Sequence, residues 1–318
     1  MSGALQRVGG LARQELGKVI VGQATMTDLL VLTIVCGGHA LLEGVPGLAK
    51  TLTVRTLGRI LRLRFQRVQC TPDLMPADII GGDVFNMATS TFTTHHGPVF
   101  TDLLLVDEIN RMPPRTQAAL LEAMEERQVT IGATGHRLSA AFTTFATQNP
   151  VEFEGTYPLP EAELDRFFVK IRLDYPDAAA KEEEAILERH HHGFDARNIE
   201  TADLQPLDPA DVAAARAEAA SVTVEPGLFG YIAGLARRTR DWPSITLGAS
   251  PRAAIHLMQL AKAMAAMDGR DYLIPDDVKR AALPVLRHRL VLTPEADLDG
   301  VTTDQVIGDV LAAVDVPK

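Results

Sequence analysis

Short apolar runs alternate with amphipathic stretches through the first 175 residues. Runs at 39–42, 63–68, 103–107, 142–147 and 167–173 have the length and composition of strands. Leu103-Leu104-Leu105-Val106 is apolar at every position before Asp107, the pattern of a strand covered on both faces in a parallel sheet. Helical stretches fall between the runs. One spans 50–59; in another, at 116–127, Leu120, Leu121 and Met124 form an apolar face, with Thr116 placed to cap it. This alternation predicts an α/β layer fold. Two polar segments interrupt it. The Gly-, Thr- and Asp-rich stretch at 78–100 reads as loops or a hairpin, and 129–138 reads as two short arms around a glycine turn.

The texture changes after Pro176. Residues 181–192 read as a helix with a charged face, 193–209 as a linker, and the remainder as all-helical. Ser250-Pro251 supplies a cap and a first-turn proline, Gly269 a stop, and Pro275-Asp276-Asp277 a second start with acids at the positive helix end. The expected organisation is an α/β core over 1–200 and a small helical domain over 201–318.

With 318 residues, 46% of them hydrophobic and 23% charged, the chain has ample material for a core. No apolar run approaches the roughly 20 residues that span a bilayer, and no charged-then-apolar leader opens the chain. Cys36 and Cys70 do not form a metal-type pair, so a cytoplasmic location is the expectation. The net charge of −10 argues against general nucleic-acid affinity, although a local basic pore is compatible with it.

The candidate chemistry begins directly after the run Ala40-Leu41-Leu42. Gly44-Val45-Pro46-Gly47-Leu48-Ala49-Lys50-Thr51-Leu52 reads as a glycine-bearing loop running into a helix. Backbone N–H groups and a helix N-terminus there can converge on one anion. Lys50 can reach the outer phosphates, and the Thr51 hydroxyl can hold Mg2+. Ala49 stands where the phosphate-loop pattern has glycine, and an ordinary strand-to-helix turn is the alternative reading of residues 44–51 alone. The second half of the site is Asp107-Glu108, at the strand end where α/β sheets place their chemistry. Asp107 is read as a Mg2+ ligand beside Thr51, and Glu108 as the residue that orients or polarises the attacking water.

Together these residues resemble the AAA+ ATPases, and within them the MoxR family, over nearly the whole chain. Val19-Ile20-Val21-Gly22-Gln23 is similar to the family's segment near the adenine. Asp107-Glu108-Ile109-Asn110-Arg111, Pro113-Pro114 and the stretch from Gln117 to Met124 resemble its Walker B region. Thr147-Gln148-Asn149-Pro150 matches sensor 1 and Ala249-Ser250-Pro251-Arg252 matches sensor 2. The most family-specific string is Glu154-Gly155-Thr156-Tyr157-Pro158-Leu159-Pro160-Glu161-Ala162, continued by Leu164-Asp165-Arg166-Phe167. In this family alanine is the usual residue at the place of Ala49.

The resemblance implies an AAA+ core with a parallel sheet, a helical lid, ATP and Mg2+ as cofactors, and a homo-hexameric ring. It implies that Asn149 bonds the γ-phosphate or the water, that Arg166 acts as an arginine finger in a neighbouring subunit, and that Arg252 reaches the γ-phosphate from the lid. Arg111 and Arg115 are rival trans-acting arginines. Segments 78–100 and 129–138 correspond to the helix-2 insert and the pre-sensor 1 hairpin, which would face a central pore. The implied activity is ATP-driven, chaperone-like remodelling of a protein client, with a von Willebrand factor A domain protein as partner. A nucleic-acid motor and an ATP-binding switch with little turnover are the alternatives. The runs His190-His191-His192 and His95-His96 are read as solvated, and Met258, Met264 and Met267 as lid core.

Overall fold

The computed structural model describes residues 3–150, 155–175, 177, 179, 181–195, 199 and 202–317. Glu154 and Pro176, and the expected domain boundary at 200/201, lie outside the described residues.

Eleven strands are described, labelled in chain order. They are β1 (Ala40–Glu43), β2 (Phe65–Gln69), β3 (Gly81–Asn86), β4 (Thr91–His96), β5 (Leu103–Asp107), β6 (Gln128–Ile131), β7 (Thr134–Arg137), β8 (Thr143–Gln148), β9 (Val169–Arg172), β10 (Ile245–Leu247) and β11 (Val291–Leu292). Five of them build one parallel sheet in the order β2-β5-β8-β1-β9. Each expected core strand is present; β5 keeps its expected bounds, and the other four are shifted or trimmed by one or two residues at their ends, where hydropathy does not show which residues find a ladder partner.

Alternation along β5 explains why this strand is apolar throughout. Leu103 and Leu105 enter one buried cluster with Leu42, Phe145 and Ile171, while Leu104 and Val106 enter a second with Leu41, Val68 and Ala146. Neighbouring side chains leave opposite faces of a strand, so only a sheet covered on both faces makes every position pay in buried area, about 25 cal/mol per Å2. The first cluster continues without a break into the lid, through Leu257, Leu260 and Val278. Helix Ala4–Gly17 packs on helices Pro209–Ser221 and Pro251–Met267 and also on Ala24–Cys36 and Lys50–Ile60.

Several expectations change in detail. Segment 78–100 opens with a short helix, Pro76–Ile80, before the β3–β4 hairpin. Residues 129–138 form the β6–β7 hairpin as expected. Thr116 is not a cap: the helix starts at Pro114, and the buried Thr116 hydroxyl instead donates to the Leu74 carbonyl at 2.8 Å. The lid is not all-helical, because β10 and β11 pair as an antiparallel ribbon. Each is two or three residues long, too short to carry a periodic signal. Ser250 does cap its helix, its side chain accepting from Ala253 N–H at 3.1 Å.

Candidate functional site

The loop after β1 runs directly into helix Lys50–Ile60, so its backbone is aimed by the sheet. Gly44 sits so close to Leu173 that a Cβ there would stand 2.9 Å from the Leu173 carbonyl oxygen. Ala49 is the N-cap residue and has a left-handed backbone, φ +55°. An L-residue in that region costs on the order of 1 kcal/mol, strain of the kind that active-site loops retain. The Lys50 ammonium donates to the Gly44 carbonyl at 2.6 Å, bridging the two ends of the loop. Burial lowers its pKa from the usual lysine value, while Asp107, Glu108 and Glu43 oppose that shift.

Parallel register brings the other half of the site alongside. Thr51 Oγ1 lies 3.4 Å from Asp107 Oδ2, and Thr147 Oγ1 donates to Asp107 Oδ1 at 3.3 Å. Glu108 has φ +59°, a second strained residue directly after the strand. Its N–H donates to Thr147 Oγ1 at 2.9 Å, which turns the side chain out over the sheet edge. There Glu108 Oε2 accepts from Gln69 Nε2 at 3.3 Å and forms an ion pair with Arg111 Nε at 2.9 Å. Asn149, buried just past β8, completes the wall. One cavity of about 470 Å3 is lined by the loop from Pro46 to Leu52 together with Arg67, Gln69, Asp107, Glu108, Thr147 and Asn149.

A second cavity, of about 670 Å3, shares Gly47, Leu48, Ala49 and Leu52 with the first. Its other walls are Val19, Ile20, Val21 and Gln23 on one side and Ile186, Arg189, His190 and Phe194 on the other. Gly22, between two lining residues, adopts φ +67° and lies against the Glu182 carboxylate. Val45 packs on the apolar cluster beneath the loop.

Two residues at the site, and a third at the nearby arginine cluster, were not read from the sequence. Arg67 Nε bonds Asp107 Oδ2 at 2.6 Å, Gln69 reaches Glu108, and Glu125 organises the arginines described next. The first two project from β2, whose pairing of Gln69 with Asp107 sets them beside the carboxylates. A strand with polar residues at every second position signals only an exposed face, so no local pattern marks them. Cys70, also next to this site, has its thiol pKa pushed up to about 12 by burial and by Asp107 and Glu108.

Arg166 and Arg252 do not line the phosphate-side cavity. They meet instead on Glu125, at the end of helix Pro114–Glu126. Arg166 Nε is 3.3 Å from its carboxylate and Arg252 Nη2 is 2.6 Å away. Arg252 also faces Asp165 at 3.9 Å. Of the two rival arginines, Arg111 is engaged within its own chain by Glu108.

Among the described residues, no group of three or more His, Cys, Asp or Glu side chains could hold a metal ion alone. Thr51 and Asp107 nevertheless fit Mg2+, which typically takes one or two protein oxygens and completes its shell with phosphate and water. No helix among the described residues is long and apolar enough to cross a membrane.

Residues 39–169 match the family model for ATPases associated with various cellular activities, and residues 237–310 match an AAA lid domain. The chain is 41% identical to the Chaperone MoxR1 of Mycobacterium tuberculosis, over 96% of this chain and 81% of that one. It is likewise 41% identical to the protein YeaC of Bacillus subtilis, over 97% and 94% of the two chains. The crystal structure of a Cytophaga hutchinsonii protein, 43% identical, matches with a TM-score of 0.88 over 99% of this chain and 96% of that one. Coverage of this extent takes in both matched regions. The chain therefore belongs to the MoxR family of AAA+ ATPases.

Proposed function

We propose that the protein hydrolyses ATP at sites completed between subunits of a homo-hexameric ring, and that turnover remodels a protein client. The observation that carries the reading is the convergence of Lys50, Thr51, Asp107, Glu108 and Asn149 on one cavity continuous with an apolar one. The apolar cavity suits the base and ribose, and the polar one the phosphates. Mg2+ held by Thr51 and Asp107 would offset phosphate charge. Lys50 adds a cation at the outer phosphates, Glu108 orients the water, and Asn149 bonds the water or the γ-phosphate.

The arginines support a shared site. Neither Arg166 nor Arg252 lines the chain's own phosphate cavity, and one carboxylate, Glu125, holds both. We therefore assign the two together to the neighbouring subunit's nucleotide, with Arg166 as the finger. This revises the expectation that Arg252 serves its own γ-phosphate. The client is read as protein because Val84, Phe85, Met87 and Phe92 on the β3–β4 hairpin are exposed, whereas a nucleic-acid motor would need cations there. A von Willebrand factor A domain partner and a cytoplasmic setting complete the proposal.

The test is steady-state ATP hydrolysis per subunit over a wide range of protein concentration, with mass measured in parallel. Specific activity should climb as rings form. Full activity from a species of monomeric mass would overturn the shared site.

A further inference from the structure

Arg289, in the lid just beyond helix Pro275–Leu286, is a buried cation whose side chain is only 1% exposed. Most of its guanidinium contacts go to one short segment of the core. Nε donates to Asp165 Oδ1 at 2.7 Å. Nη2 donates to the carbonyls of Asp165 and Phe167 at 3.0 and 2.5 Å, and Nη1 to that of Phe168 at 3.3 Å. The remaining contacts, to Val285 O and to His256 Nδ1 at 2.7 Å, stay within the lid. The tetrapeptide gripped in this way, residues 165–168, contains Arg166, which is held from both sides by a residue more than a hundred positions away.

A second lid contact reaches the same carboxylate. Ser250 Oγ lies 3.0 and 3.1 Å from the two oxygens of Asp165 while also capping the helix that carries Arg252. Asp165 thus ties Arg289, Arg252 and the backbone of Arg166 into one unit. Three cations, Arg166, Arg252 and Arg289, meet the carboxylates of Glu125 and Asp165, and Glu163 lies close enough to feel the charge of Arg166.

We propose that Arg289 is a positioning residue for ATP hydrolysis, fixing the backbone on both sides of Arg166 and so setting where that guanidinium projects. The inference rests on Arg166 being the trans-acting arginine. A purely structural tie between lid and core could end anywhere along the interface; this one ends on the carbonyls flanking the finger. Lysine cannot substitute, because its three donors radiate from one point and cannot reach four acceptors spread along a chain. A displacement of about 1 Å in a catalytic group can cost on the order of 100-fold in rate.

A double-mutant cycle tests this on the assembled protein, with kcat, KM for ATP and melting temperature read for Arg166→Ala, Arg289→Lys and the pair. Arg289→Lys should lower kcat by about 100-fold with KM within about twofold, and should add nothing in the Arg166→Ala background. Unchanged kcat in Arg289→Lys, or a full multiplicative loss in the pair, would overturn the positioning role alone. Undiminished kcat in Arg166→Ala would instead remove the finger assignment, and the positioning role with it. If Arg289→Lys does not fold, the same cycle run with Asp165→Asn decides: a kcat loss that vanishes in the Arg166→Ala background supports the proposal, and an independent loss sinks it.

Discussion

The nucleotide cavity and the arginine cluster are built in opposite ways. The cavity is assembled from one contiguous loop and the ends of adjacent parallel strands, and its key side chains already lie within hydrogen-bonding reach of one another. The cluster draws Glu125, Asp165, Arg166, Arg252 and Arg289 from distant segments, and lid and core meet there on shared carboxylates. The cavity can form in a single chain. The cluster contributes no residue to the cavity walls, and the role proposed for Arg166 lies in a neighbouring subunit. Binding and turnover should therefore be separable by mutation.

Arg166→Ala gives the largest expected effect. Loss of a trans-acting arginine should reduce kcat by about 10³–10⁵-fold while ATP binding stays within about twofold. Mixing this variant with Lys50→Ala subunits should restore part of the activity, since intact cavities then meet intact arginines. Absence of rescue at every mixing ratio would dissolve the distinction between the two regions. Glu108→Gln should lower kcat by about 10²–10⁴-fold and still bind ATP, as expected for a residue that handles the water and not the phosphates. Near-normal turnover would transfer that task to another side chain.

Lys50→Ala should act on the other region. ATP affinity should fall by about 10–100-fold, from the loss of one charge-assisted contact worth about 1.5–3 kcal/mol, and equilibrium titration with a fluorescent ATP analogue would detect it. Unchanged affinity would remove the phosphate-loop assignment.

Acid should weaken the fold partly through the cluster. Burial lowers the pKa of His39 to about 4 and of His256 to about 3, and holds His288 well below its ordinary value. Arg289 adds to the shift at the last two. All three are neutral when folded, but unfolded histidines gain protons as pH drops through about 6.5. Stability should be flat above that value and decline between roughly pH 6.5 and 4, by up to about 1.4 kcal/mol per pH unit for each histidine. Urea unfolding at pH 7, 6 and 5 checks the slope, and His288→Gln should flatten it. The smallest effect is that of Ala49→Gly, which relieves the left-handed alanine but frees the unfolded chain. A gain of up to about 1 kcal/mol in thermal unfolding, with ATP affinity retained, is expected.

Much of the cavity was legible because its chemistry is local. A loop between an apolar run and a helix must present its backbone amides at the helix start, and a fully apolar run ending in Asp107-Glu108 must place those acids at the C-terminal end of a buried strand. The neighbours of those acids were not legible. Arg67 and Gln69 become part of the site through strand register, which hydropathy does not encode. Thr116 looked like a cap because capping residues are common at helix starts, yet a proline two residues earlier moved the start and a tertiary acceptor took its hydroxyl.

By itself the sequence determined the layered α/β core, the largely helical region after it, the hairpin at 129–138, and the loop and acid pair proposed to receive phosphate, since each depends on periodicity or on residues close in the chain. Only the tertiary structure decided the strand order β2-β5-β8-β1-β9, the packing of the N-terminal helix against both early and late helices, and the company kept by the arginines. A cation's partner depends on which segments pack together, and a long flexible side chain shows no preference among distant carboxylates until packing brings one within reach.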